Sequence, residues 1–196
     1  MLVACLDRLP GRVALCLTLA GSFAVIPARA ADPSTASSLE RQVKIAFLYN
    51  FAKFVEWPDG SLTEPRAPLT VGVLGSDTFC LDLEQGLEGR TVDAHPIVVR
   101  RLTGLEEART VQILFIGSAF GSQVDRAFVA LRGAPVLTVG DMPRFAARGG
   151  IINFTIEDNK VRFEINVDAA RRAGLKISSK LLNVATVLRD TAHAGF

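Results

Sequence analysis

The sequence predicts an α/β domain with a mainly parallel sheet and a C-terminal antiparallel hairpin, and three observations carry that prediction. Apolar runs of strand length at residues 69–74, 97–102, 111–116 and 136–139 alternate with amphipathic segments, the pattern of parallel strands joined by crossover helices. Three of these runs end in glycine beside a small polar or acidic residue, as Gly75-Ser76-Asp77, Gly117-Ser118 and Gly140-Asp141. Such ends suit a tight turn from strand to helix and set all three turns on one edge of the sheet. Finally, runs 151–157 and 161–167 flank Asp158-Asn159, a dipeptide that tolerates positive φ and so closes a hairpin.

In chain order, residues 1–30 come first, with Arg8 and Arg12, an apolar run over 13–26, and Ala28-Arg29-Ala30. This is the form of a secretory signal peptide, with cleavage expected after Ala30. A membrane anchor needs about 20 apolar residues, more than this run offers. Residues 31–38 read as a flexible linker, and 39–196 as a single domain. Ser37 to Glu40 forms a capping box, so a helix is expected to run on to Trp57, where Pro58 stops it. Its apolar positions, Val43, Phe47, Phe51 and Phe54 with Ile45, Leu48, Ala52 and Val55, are too many for one narrow stripe, so the helix is mostly buried. Segments 78–87 and 123–131 are the expected crossover helices, with Gly89 and Gly133 as stops. In the hairpin, a two-residue loop pairs Ile156 with Val161, Phe154 with Phe163 and Ile152 with Ile165. Thr155 then meets Arg162 and Asn153 meets Glu164 on the other face, so the register sorts apolar from polar. Asp168 is expected to cap a short turn, and Ser178 or Ser179 to open a last helix carrying Leu181, Leu182, Ala185 and Leu188.

Composition narrows the function classes. The chain has 196 residues, 49% hydrophobic and with a net charge of +2, so it is not a disordered chain and has no basic field for nucleic acid. Residues 1–30 hold three Arg and one Asp, so removing them leaves 19 basic and 19 acidic residues. Removal also takes Cys5 and Cys16, leaving Cys80 alone and no intramolecular disulfide to form. With only His95 and His193 besides Cys80, no metal-ligand spacing exists, and no cofactor is called for. No G-x-S-x-G motif occurs and Cys80 has no evident base, so an exported enzyme is disfavoured.

Other features keep two readings. The glycine turns are plain strand-to-helix turns, or they line a small-ligand crevice whose polar groups are Ser76, Asp77, Ser118 and Asp141. Cys80, between Phe79 and Leu81, is a buried apolar residue, or else a free thiol open to redox change or intermolecular pairing. Trp57, ahead of Pro58-Asp59-Gly60, is core or a partner anchor. The polar hairpin face with Asn153, Thr155, Arg162, Glu164 and Asn166 is solvated, or forms with Lys180 a patch that docks another protein.

The strings KIAFLYNFAKFVEWP at 44–58, VQILFIG at 111–117, PVLTVGD at 135–141 and RGGIINFTIEDNKVRFEINVDAARRAGLKISSKLL at 148–182 together resemble the YfiR family, the YfiR/HmsC-like repressors. The resemblance implies a periplasmic protein with a Rossmann-like α/β sandwich and no catalytic residues. It implies binding to the periplasmic sensor domain of an inner-membrane diguanylate cyclase, so that cyclic di-GMP and biofilm formation stay low. Release by an outer-membrane lipoprotein or by envelope stress is part of the same implication. Some relatives carry paired cysteines, whereas Val111, Ala146 and Ile152 stand here in the stretches where those would fall. The alternative is a periplasmic small-molecule sensor using the glycine-turn crevice and reporting to a histidine kinase or other membrane sensor. Oligomeric state, including a homodimer, stays open.

Overall fold

A computed structural model describes residues 33–190 apart from 63 and 65; the expected cleavage after Ala30 and the start of the linker lie outside the described residues. In chain order the elements are α1 (Pro33–Phe54), β1 (Val55–Glu56), β2 (Leu69–Leu74), α2 (Asp77–Leu87), β3 (Thr91–Val92), β4 (His95–Arg101), β5 (Ile113–Ile116), α3 (Val124–Ala130), β6 (Leu137–Gly140), β7 (Ile152–Glu157), β8 (Lys160–Asn166), α4 (Val167–Arg172), β9 (Lys176–Ile177), α5 (Ser179–Leu182) and β10 (Thr186–Leu188).

The first helix differs from its sequence expectation at both ends. It starts at Pro33, so residues 33–38 are helical rather than linker. Proline suits the first helical position because its missing N–H has no intrahelical partner to lose and its φ is already helical. The helix stops at Phe54 because Val55 and Glu56 pair antiparallel with Ile177 and Lys176, a partner 120 residues away.

The main sheet has the order β10-β8-β7-β6-β5-β2-β4-β3. Neighbours from β4 through β2, β5 and β6 to β7 are parallel, and β7–β8 is the antiparallel hairpin. Its register is the expected one at all five pairs, and Asp158 and Asn159 take the turn at φ 49° and 57°. The last predicted helix is cut short. It ends at Leu182, and Thr186–Leu188 instead lies parallel to β8 at the sheet edge.

Side chains alternate across the sheet into two apolar layers. Val71, Val73, Ile113, Phe115, Val139, Ile152, Phe154 and Phe163 face α1 and α2, whereas Leu74, Leu114 and Ile116 face α3 and the segment after β6. On the first face Phe47 and Phe51 of α1 pack against Phe154 and Phe163, with ring centroids 5.0–6.2 Å apart, which fastens the hairpin to the helix. On the second face residues 141–150 fold back over the hairpin, and Phe145, fully buried, lies on Gly140. A Cβ there would come within 2.6 Å of the Phe145 ring, so glycine is required.

Candidate functional site

The polar groups of interest lie at the carboxyl edge of the parallel strands, and that edge is built differently at its two ends. Between β2 and β5 the turn backbones touch. Gly117 N donates to Leu74 O at 2.8 Å, a Cβ on Gly117 would stand 2.8 Å from Gly75 O, and the Phe120 Cβ sits over Gly75. Ser76 takes the N-cap position of α2 without a side-chain bond, Asp77 pairs on the surface with Arg101 at 2.9 Å, and Ser118 is exposed. Backbone and Phe120 thus occupy the space at the Gly75 and Gly117 turns, whereas Asp141, the fourth residue of the expected crevice, lines a cavity at the end of β6.

The end of β6 is open. β6 pairs with β7 only through Val139–Ile152 and Gly140–Asn153, so β7 runs on past it for four residues. The notch this leaves is a cavity of about 490 Å³ whose polar lining includes Glu40, Lys44, Asp141, Asn153 and Glu164. Lys44, only 9% exposed at its side chain, reaches across from α1 to bond Glu40 Oε1 at 2.7 Å and Asp141 Oδ2 at 2.9 Å. Burial alone would lower the Lys44 pKa, but the bonds and charges of Glu40 and Asp141 outweigh it and hold the ammonium above its usual 10.5. Asn153 is 2% exposed and donates from Nδ2 to Glu164 Oε2 at 3.2 Å. Asp141 Oδ1 and Asn153 Oδ1 are buried and accept no hydrogen bond from the described residues.

The hairpin face is only partly solvated. Asn153 and Asn166 are buried, Asn166 bonding Ala146 in the 141–150 segment, while Arg162 is exposed and Thr155 and Glu164 are half-buried. Asn166, not Asp168, caps α4: its Oδ1 accepts from Asp168 N and Ala169 N, and its Nδ2 donates to Ala146 O and Asp190 Oδ1. The proposed patch is thus divided. Asn153 and Glu164 are together and Arg162 shares their face, but Lys180, exposed on α5, makes no ion pair among the described residues. Trp57 lies at the opposite, amino-terminal edge, half-buried, with Nε1 donating to Gln112 O at 3.3 Å. Cys80 is buried in α2. Burial first, then the charge of Glu84, push its pKa up, so the thiol is protonated at neutral pH. Sequence reasoning missed Lys44, read only as part of a helix, and no local signal links it to Asp141, 97 residues on.

Fold and edge define an α/β domain of mainly parallel sheet with polar groups gathered in a notch and on a hairpin. The chain belongs to the YfiR/HmsC-like family, whose sequence model matches residues 41–186. That family comprises periplasmic, non-catalytic regulators that act on a partner. Among solved structures, a conserved domain protein from Vibrio cholerae O1 biovar El Tor matches at 12% identity and a TM-score of 0.54, covering 75% of this chain and 59% of that one. The ABC domain in complex with L-Trp from Streptococcus pneumonia matches at 12% identity and a TM-score of 0.48, over 76% of this chain and 60% of that one. The chain therefore spans about 60% of the length of these structures, and the Vibrio match supports the fold alone. Among the described residues no helix is long and apolar enough to cross a membrane.

Proposed function

We propose that this protein is a non-enzymatic periplasmic regulator that binds the periplasmic sensor domain of an inner-membrane diguanylate cyclase and holds it inactive, lowering cyclic di-GMP and biofilm formation. The family match over residues 41–186 is the observation that carries this reading. Export with cleavage after Ala30 brings the chain to that compartment, and an outer-membrane lipoprotein is the counter-ligand that releases the cyclase.

The contact is assigned to the outer hairpin. Glu164, held by Asn153, and the exposed Arg162 offer charges of both signs on one face, and Ile156, 52% exposed, adds apolar surface from the other face near the hairpin tip. Aromatic packing of the hairpin on α1 makes this surface rigid before binding, which lowers the ordering cost of association. The regulator shifts the cyclase only by its differential affinity for two states. Turning a 99:1 active population into 1:99 needs binding to the inactive form about 10⁴-fold tighter. Lys180 and Trp57 stand apart from this surface, and Trp57 packs against the core with its Nε1 bonded to Gln112 O.

Affinity capture from the envelope fraction, read by mass spectrometry, tests the partner. Wild type is expected to retain a diguanylate cyclase, and Glu164→Lys to lose it while keeping a cooperative unfolding transition. Equal capture by a folded Glu164→Lys variant removes the hairpin from the contact.

A further inference from the structure

The notch at the end of β6 holds a combination that the repressor reading does not use. Its charged lining is Glu40, Asp141 and Glu164 against Lys44 and Arg144, an excess of one negative charge. Lys44 is already engaged by Glu40 and by Asp141 Oδ2. Two acceptors remain among its lining residues, Asp141 Oδ1 and Asn153 Oδ1, both buried and without a donor from the described residues, and Asn153 as a whole is 98% buried, being 2% exposed. Leaving such acceptors unmet is costly, and a charged donor serves a carboxylate best. Met142, Phe154, Ile156 and Leu188 supply apolar wall beside them. A cavity of about 490 Å³ is of the size that takes a small molecule, and it opens at the carboxyl end of a parallel strand, where α/β sheets bind ligands.

We propose that this notch binds a small monocationic amine with an apolar body, its ammonium group donating to Asp141 Oδ1 and Asn153 Oδ1. One positive charge cancels the excess, and the apolar part covers Phe154 and Leu188. The binding claim is independent of the cyclase. Only its consequence rests on the proposed function: an occupant drawing on Asn153 changes the residue that holds Glu164 in the hairpin contact.

Benzylammonium and its neutral isostere benzyl alcohol, titrated into the purified protein, are the probes, followed by the Asn153 side-chain amide resonances and by melting temperature. Benzylammonium is expected to shift those resonances saturably and to raise the melting temperature, with benzyl alcohol binding about tenfold weaker or worse. Asp141→Asn should weaken benzylammonium by about tenfold and leave benzyl alcohol unchanged. Glu40→Gln, at a half-exposed carboxylate, gives the same direction with a smaller loss and serves if the first variant does not fold. Absence of a saturable Asn153 shift, equal affinity for amine and alcohol, or unchanged amine binding in the folded variants would overturn the proposal.

Discussion

At Gly75 and Gly117 two neighbouring strands end level, their turn backbones meet, and Phe120 closes the gap; at Gly140 the neighbouring strand β7 runs on past β6, paired only with β8, and the following segment is drawn to the other face by Phe145. All three turns carry the same signature, a glycine followed by a small polar or acidic residue. The difference lies in strand length next door, so a glycine at a strand end reports a tight turn and says nothing of a crevice. What distinguishes the Gly140 end is Asp141 beside the gap and a lysine from a distant helix to meet it.

Substitutions at the two ends should separate closed from open. The largest loss is expected from Phe145→Ala, which removes a fully buried ring from over Gly140 and should cost about 3–5 kcal/mol in urea unfolding, against about half that for the partly exposed Phe120. Next comes Gly117→Ala, whose new Cβ meets backbone at Gly75, for about 1–3 kcal/mol; Gly121→Ala, with its nearest neighbour 3.7 Å away, should be close to neutral. Equal effects of these two glycine changes would deny that the β2–β5 turn is closed by contact.

Lys44→Met should cost about 2 kcal/mol at neutral pH, because it strands Asp141 without its cation. Its pH dependence has a definite sign. The folded pKa of Lys44 lies above the unfolded 10.5, so its contribution is complete below 10.5 and fades as pH rises through the higher folded value. Wild type and Lys44→Met should therefore converge only in strongly alkaline solution, as chemical denaturation at a series of pH values would show. The smaller charge effect belongs to the closed end: Arg101→Ala breaks a surface pair with Asp77 and should change stability by less than about 0.5 kcal/mol.

The hairpin was legible residue by residue because its pairing is local and a slip of one place would turn Phe154 and Phe163 outward. The parallel strands were legible for a similar reason, as apolar runs punctuated by glycine. Strands β1 and β10 were not. Val55-Glu56 continues a helical pattern until Lys176-Ile177 arrives to pair with it, and Leu181, Ala185 and Leu188 keep helical spacing although Val187 lies opposite Ile165 of β8. Nor could alternation show that Asn153 is buried, since the register sets it opposite Glu164 on the polar face. The notch depends on three meetings across the chain, α1 with the end of β6, β6 with β7, and the 141–150 segment with the hairpin; Asp141, Asn153 and Glu164 stood out beforehand, but as parts of two different surfaces, and Lys44 did not.

Cyclic di-GMP measured by mass spectrometry in cells lacking this protein, and in the same cells restored with wild type or Glu164→Lys, tests the central claim most directly. Deletion is expected to raise cyclic di-GMP, wild type to return it to the low level, and a folded, exported Glu164→Lys to leave it high. A cyclic di-GMP level unchanged by deletion would contradict that claim.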